Sequence, residues 1–149
     1  MALKDQLAED MKAAMKEKEG GKKKLSVIRM VRSSLKNAEI NKKNELSEEE
    51  EIEVIAREAK KRRDSLEEYL KFGRQDIADG LKEELEILMK YLPEQMSEDE
   101  VRALIKEVVD EVKPTGPKDM GKVMGKLMPK VKGKADGKLV NQIVKEFIG

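Results

Sequence analysis

The chain has 149 residues, enough for one ordinary domain or two small ones, and with 38% hydrophobic against 42% charged residues any core must be small. Cysteine and histidine are both absent, which excludes disulfides, thiol nucleophiles, Cys/His zinc sites and the imidazole base of the usual triads. Net charge is only +1, yet from residue 113 onward nine lysines meet only Asp119, Asp136 and Glu146, a local +6 that leaves −5 on the rest and points to a polyanionic partner or a well-solvated surface.

Leu3, Leu7, Met11 and Met15 recur every four residues and predict a first helix that stops at Gly20-Gly21. Met1 to Asp5 open that amphipathic pattern instead of a signal peptide, and no apolar run approaches a membrane span, so the cytoplasm is the expected address. A second helix carries Leu25, Ile28, Val31, Leu35 and Ala38 and breaks at Asn41-Lys42-Lys43-Asn44. Ser47 with Glu50 three residues on is a capping box, opening a third helix with Ile52, Ile55, Ala59, Leu66, Tyr69 and Leu70 on its inner face and Gly73 at its end. Ile77, Leu81, Leu85 and Leu88 outline a fourth helix closed by Pro93, and residues 1–93 read as a four-helix domain.

Ser97 and Glu100 repeat the capping signature before Val101, Leu104, Ile105, Val108 and Val112. Lys113-Pro114-Thr115-Gly116-Pro117 ends this fifth helix, a sixth spans about 118 to 128 and stops at Pro129, and Asp136 caps a seventh with Leu139, Val140, Ile143, Val144 and Phe147. Residues 94–149 thus form a three-helix domain, and the fold class is all-α.

Gly116 to Val123 comes within one residue of a phosphate loop, but Val123 has no hydroxyl for magnesium and no strand precedes it, so a nucleotide site is rejected. At 100° per residue, Lys118, Lys122 and Lys126 form one ridge, with Met120, Val123, Met124 and Leu127 turned away. Gly121 and Gly125 fall beside the ridge, where bare backbone admits either a sugar–phosphate chain or a neighbouring helix. Lys130, Lys132, Lys134 and Lys138 extend the basic surface through a glycine-bearing loop, and Asp136 competes with any anion for the N–H groups opening the last helix. No aromatic interleaves these lysines, which favours a folded RNA held by its backbone over stacked single strands.

Arg63 projects into the stripe between Ala59 and Leu66 and needs a partner. Glu84 is the candidate, with Arg74 and Asp76 at the turn completing a buried ionic network. Carboxylate pairs sit at helix starts or on charged faces, so no catalytic residue, metal site or cofactor is assigned.

Lys118-Asp119-Met120-Gly121-Lys122-Val123-Met124-Gly125, then Leu127-Met128-Pro129-Lys130, Gly133-Lys134-Ala135-Asp136-Gly137 and Val140-Asn141, resemble the signature of the YqeY family and the tail domain of the B subunit of tRNA-dependent amidotransferases. Arg62-Arg63-Asp64-Ser65, Gly73-Arg74-Gln75-Asp76 and Tyr91-Leu92-Pro93-Glu94-Gln95 resemble the same family's N-terminal helical domain; where a second acidic residue is expected near Glu84, this chain has Leu81. The resemblance implies tRNA as a partner, with aminoacyl-tRNA synthetase or amidotransferase subunits as further ones. It also implies a carbon–nitrogen ligase label with glutamine as amido donor, although the glutaminase and kinase-like parts have no counterpart here. The expected function is a tRNA-associated accessory module using the lysine surface; the alternative is a protein-interaction adaptor without nucleic-acid binding.

Overall fold

The computed structural model describes residues 2–149; Met1, at the head of the amphipathic pattern, lies outside the described residues. These residues form seven α-helices and no strand: α1 (Leu3–Lys16), α2 (Lys22–Lys42), α3 (Glu48–Lys71), α4 (Gln75–Met89), α5 (Glu98–Val112), α6 (Met120–Val131) and α7 (Gly137–Ile148). The chain divides into two compact units, one ending at Leu92 and the other spanning Pro93–Gly149.

In the first unit, Leu7, Val27, Ile28, Val31, Leu35, Val54, Ile55, Ala59 and Leu88 form the core. Full burial of each large aliphatic side chain contributes roughly 2 kcal/mol. The every-fourth-residue pattern of α1 holds for Leu3, Leu7 and Met11 but fails at Met15, which is 54% exposed, while Ala14 is buried. A four-residue step overshoots one turn by about 40°, so by the fourth repeat the side chain has left the face. On α3 Leu70 is also exposed, while Val54, outside the predicted inner face, enters the core.

Helix ends follow the local chemistry. Ser47 Oγ accepts from the Glu50 N–H while Glu50 Oε1 accepts from the Ser47 N–H, closing the capping box. Gly73, at φ 74°, ends α3 in a Schellman turn: Arg74 N–H donates to Tyr69 O and Gly73 N–H to Leu70 O. α1 stops at Lys16, earlier than the glycine pair, and the 3-10 turn Lys18–Gly21 carries the chain straight into α2. Gly21 is required there by contact: a Cβ would lie 2.1 Å from the carbonyl oxygen of Ala14.

α4 ends at Met89, before the predicted stop at Pro93, and two tight turns bring Tyr91 to α1. Its hydroxyl donates to Asp10 Oδ2 at 2.5 Å, joining residues 81 apart in sequence. Burial, reinforced by the Asp10 carboxylate, pushes the Tyr91 phenol well above its ordinary range. Tyr91→Phe removes one charge-assisted hydrogen bond and is expected to cost about 1.5 kcal/mol, read as a lower urea midpoint with an unchanged slope.

The second unit draws three buried residues from each helix: Val101, Ile105 and Val108 from α5, Val123, Leu127 and Val131 from α6, and Val140, Ile143 and Val144 from α7. α6 does not stop at Pro129 but runs through it to Val131. The ring removes one donor to Gly125 O, yet Val131 continues the Val123–Leu127 row into the core, and its burial outweighs the lost bond.

Candidate nucleic-acid interface

α6 separates its residue types as the helical projection requires. Val123 and Leu127 are buried, Met120 and Met124 are half-buried, and Lys122 and Lys126 point outward, 75% and 54% exposed. The ridge begins before the helix, because Lys118 sits on the 3-10 turn Pro117–Asp119. Asp119 shapes that turn: its Oδ2 accepts from both the Thr115 N–H and the Thr115 hydroxyl at 2.8 Å. These bonds, with Lys122 nearby, hold its carboxyl below the usual range.

The ridge lysines differ in their surroundings. Lys122 Nζ lies 3.7 Å from Asp119, and Lys126 Nζ donates to Glu111 of α5 at 2.7 Å, lowering the Glu111 pKa. The Lys126–Glu111 pair is open to water, as is the Lys122 ammonium, and such surface pairs are worth about 0–1 kcal/mol, so a phosphate can draw these lysines away at little cost. Lys118, Lys130 and Lys134 are exposed and form no ion pair within 4.0 Å among the described residues, although Lys130 is near enough to Glu111 to help lower its pKa; Lys132 and Lys138 are exposed as well. Gly121 and Gly125 are exposed, and a Cβ at either meets nothing within 4 Å. No helix of the second unit packs against them.

The loop after α6 is held from the other end of the unit. Gly133 adopts φ 72°, Gln95 Nε2 donates to Gly133 O at 2.7 Å and to Pro93 O at 2.9 Å, and Met96 N–H donates to Lys134 O at 2.9 Å. Gln95 therefore positions Lys132 and Lys134, a role the residue-by-residue reading missed; only its place in the Tyr91–Gln95 motif marked it. Asp136 Oδ1 accepts from the Lys138 N–H at 3.2 Å, so the start of α7 is already capped by a carboxylate.

The predicted ionic network is arranged differently. Glu84 pairs with Arg62 (3.7 Å), not Arg63, and Arg62 also donates to Glu58 Oε2 and Glu58 O at 3.1 Å. Arg63, one residue and 100° further round α3, approaches Met89 Sδ at 3.5 Å. Arg74 and Asp76 pair with each other at 3.3 Å in solvent, and no charged residue among those described is fully buried. Burial raises the Glu58 carboxyl, but hydrogen bonds from Arg62, Lys61 and Ser34 more than offset this and hold it below its ordinary range.

Among the described residues there is no group of three or more acidic side chains placed to hold a metal, and no helix long and apolar enough to cross a membrane.

A family model described as Yqey-like protein matches residues 4–148. Three yeast proteins named "Altered inheritance of mitochondria protein 41, mitochondrial" are similar. The one from Lachancea thermotolerans is 32% identical over 74% of this chain and that from Kluyveromyces lactis 34% over 74%; the one from Candida glabrata is 34% identical over 59%. The chain spans 60% of the length of the first two relatives and 48% of the third. With a match running nearly end to end and relatives above 30% identity, the chain belongs to the YqeY-like protein family.

Proposed function

We propose that the protein is a tRNA-associated accessory module that holds the folded RNA by its backbone through the second unit. The observation carrying this reading is the outward face of α6, where cations border two glycines with open space above them. Phosphates are attracted without base readout, and the bare backbone lets the chain approach. Lys118, Lys130 and Lys134, which hold no close ion pair, are the first to test; Lys122, Lys126, Lys132 and Lys138 complete the surface. Synthetase or amidotransferase subunits are the protein partners that fit this role, any amide chemistry residing in them. The cytoplasm is the address that goes with it, and since the yeast relatives are named as mitochondrial, a mitochondrial fraction belongs in the localisation experiment.

The test is binding to bulk folded tRNA against duplex DNA competitor at two salt concentrations. Expected are preference for tRNA, a steep fall as salt rises, and at least tenfold weaker binding in Lys118→Gln/Lys130→Gln/Lys134→Gln at unchanged helicity. No binding at low salt overturns the reading. It would favour the adaptor, for which the Gly121/Gly125 face is the specific feature: a helix of another protein fits such a strip as well as a phosphate chain does.

A further inference from the structure

Whole-chain and domain sums hide a second basic element. α2 carries seven cations, Lys22, Lys23, Lys24, Arg29, Arg32, Lys36 and Lys42, against the single carboxylate Glu39, which is the same net +6 as the C-terminal segment. Three of these are neutralised from neighbouring elements: Lys23 by Glu83 (3.0 Å), Lys24 by Glu17 (4.0 Å) and Lys42 by Glu50 (2.5 Å). Lys22, Arg29, Arg32 and Lys36 have no carboxylate partner among the described residues.

Three of these four line one groove, where Arg32 spends one N–H on Met11 Sδ at 3.1 Å and keeps its others. A cavity of about 550 Å³ runs along the seam of α1 and α2, bordered by Arg29, Arg32, Ser33 and Lys36. At its far end Lys4 is committed to Glu39. The volume is that of a small-ligand site. Arg29, Arg32 and Lys36 follow one another at i, i+3 and i+7, spreading positive charge over about 10 Å of helix, so one compact anion cannot satisfy all three.

The floor decides between kinds of anion. Leu7 and Leu35 lie beneath, but they are 0% and 2% exposed, so the apolar part of the lining comes from lysine and arginine stems. An acidic amphipathic helix needs an apolar pocket for its anchor residues, and the sealed floor offers none. Two guanidinium forks, an ammonium and the Ser33 hydroxyl offer many donors, and the fork matches phosphate oxygens two at a time.

We propose that Arg29, Arg32, Ser33 and Lys36 form a polyphosphate-binding site in the α1–α2 groove, separate from the lysine surface of the second unit. The phosphates come either from a free polyphosphate of nucleotide size or from successive phosphodiesters of an RNA.

Titration of the full chain with inorganic tripolyphosphate at low salt, followed by amide chemical shifts and calorimetry, tests this. Shifts are expected around residues 29–36, with at least tenfold weaker binding in Arg29→Gln/Arg32→Gln/Lys36→Gln. These positions are exposed, so helicity should be unchanged, and Lys118→Gln/Lys130→Gln/Lys134→Gln should alter tripolyphosphate affinity less than twofold. Displacement by folded tRNA assigns the phosphates to a nucleic-acid backbone; no displacement assigns them to a free polyphosphate. The site is overturned if no amide near 29–36 moves, if the α2 variant binds within twofold of the parent, or if polyglutamate competes as well as tripolyphosphate.

Discussion

Gly21→Ala should destabilise the first unit by about 3 kcal/mol, the upper end of the usual cost of overpacking. The added Cβ would sit 2.1 Å from Ala14 O and within 3 Å of two more backbone atoms of Ala14. No rotamer relieves a collision with backbone, so the end of α1 and the start of α2 must move apart. That shift would propagate along the hairpin to Leu7, Ile28 and Leu35. Gly20→Ala is the matched control, since a Cβ there meets nothing within 4 Å. Chemical denaturation of both variants reads the difference; equal stability would mean that the two backbones do not approach as described.

Gly121→Ala/Gly125→Ala should have opposite effects on stability and binding. Alanine exceeds glycine by up to about 1 kcal/mol in a helix interior. Gly125 lies within α6 and Gly121 in its first turn, both with open space where the methyl would stand, so the pair should stabilise the second unit by about 1.5 kcal/mol. If a sugar–phosphate chain lies against this strip, the same methyl groups hold it off, and tRNA affinity should fall at least fivefold. A variant that melts later and binds less would show that the glycines serve contact rather than folding. Unchanged tRNA affinity would remove the glycines from the proposed interface and leave it to the lysines.

Much of the fold is legible in local sequence because the forces that start, stop and orient helices act over a few residues. The Ser47–Glu50 box, the Ser97 and Asp136 caps and the left-handed Gly73 are all found where the residue types place them. The lysine face of α6 is equally legible, since one projection separates Lys122 and Lys126 from Val123 and Leu127. Local rules mislead where burial competes with them. Pro129 reads as a helix end, but Val131 belongs to the core and the helix continues.

Tertiary structure alone decides which charges meet. A one-residue difference sets Arg62 rather than Arg63 opposite Glu84, because 100° of rotation along α3 brings Arg63 to Met89 of the same helix α4 instead. Gln95 reaches Gly133 and Tyr91 reaches Asp10 across separations of 38 and 81 residues, distances over which composition carries no register. The cations of α2 that lack a carboxylate partner emerge in the same way. Sequence shows seven positive side chains, but only packing shows that Glu83, Glu17 and Glu50 neutralise three of them and leave Arg29, Arg32 and Lys36 around one groove. The amphipathic pattern of each helix was determined by sequence, since it depends on neighbours within two turns. The pairing of its charged face was determined by the fold, since a charge is satisfied by whatever the packed chain brings within a few ångströms.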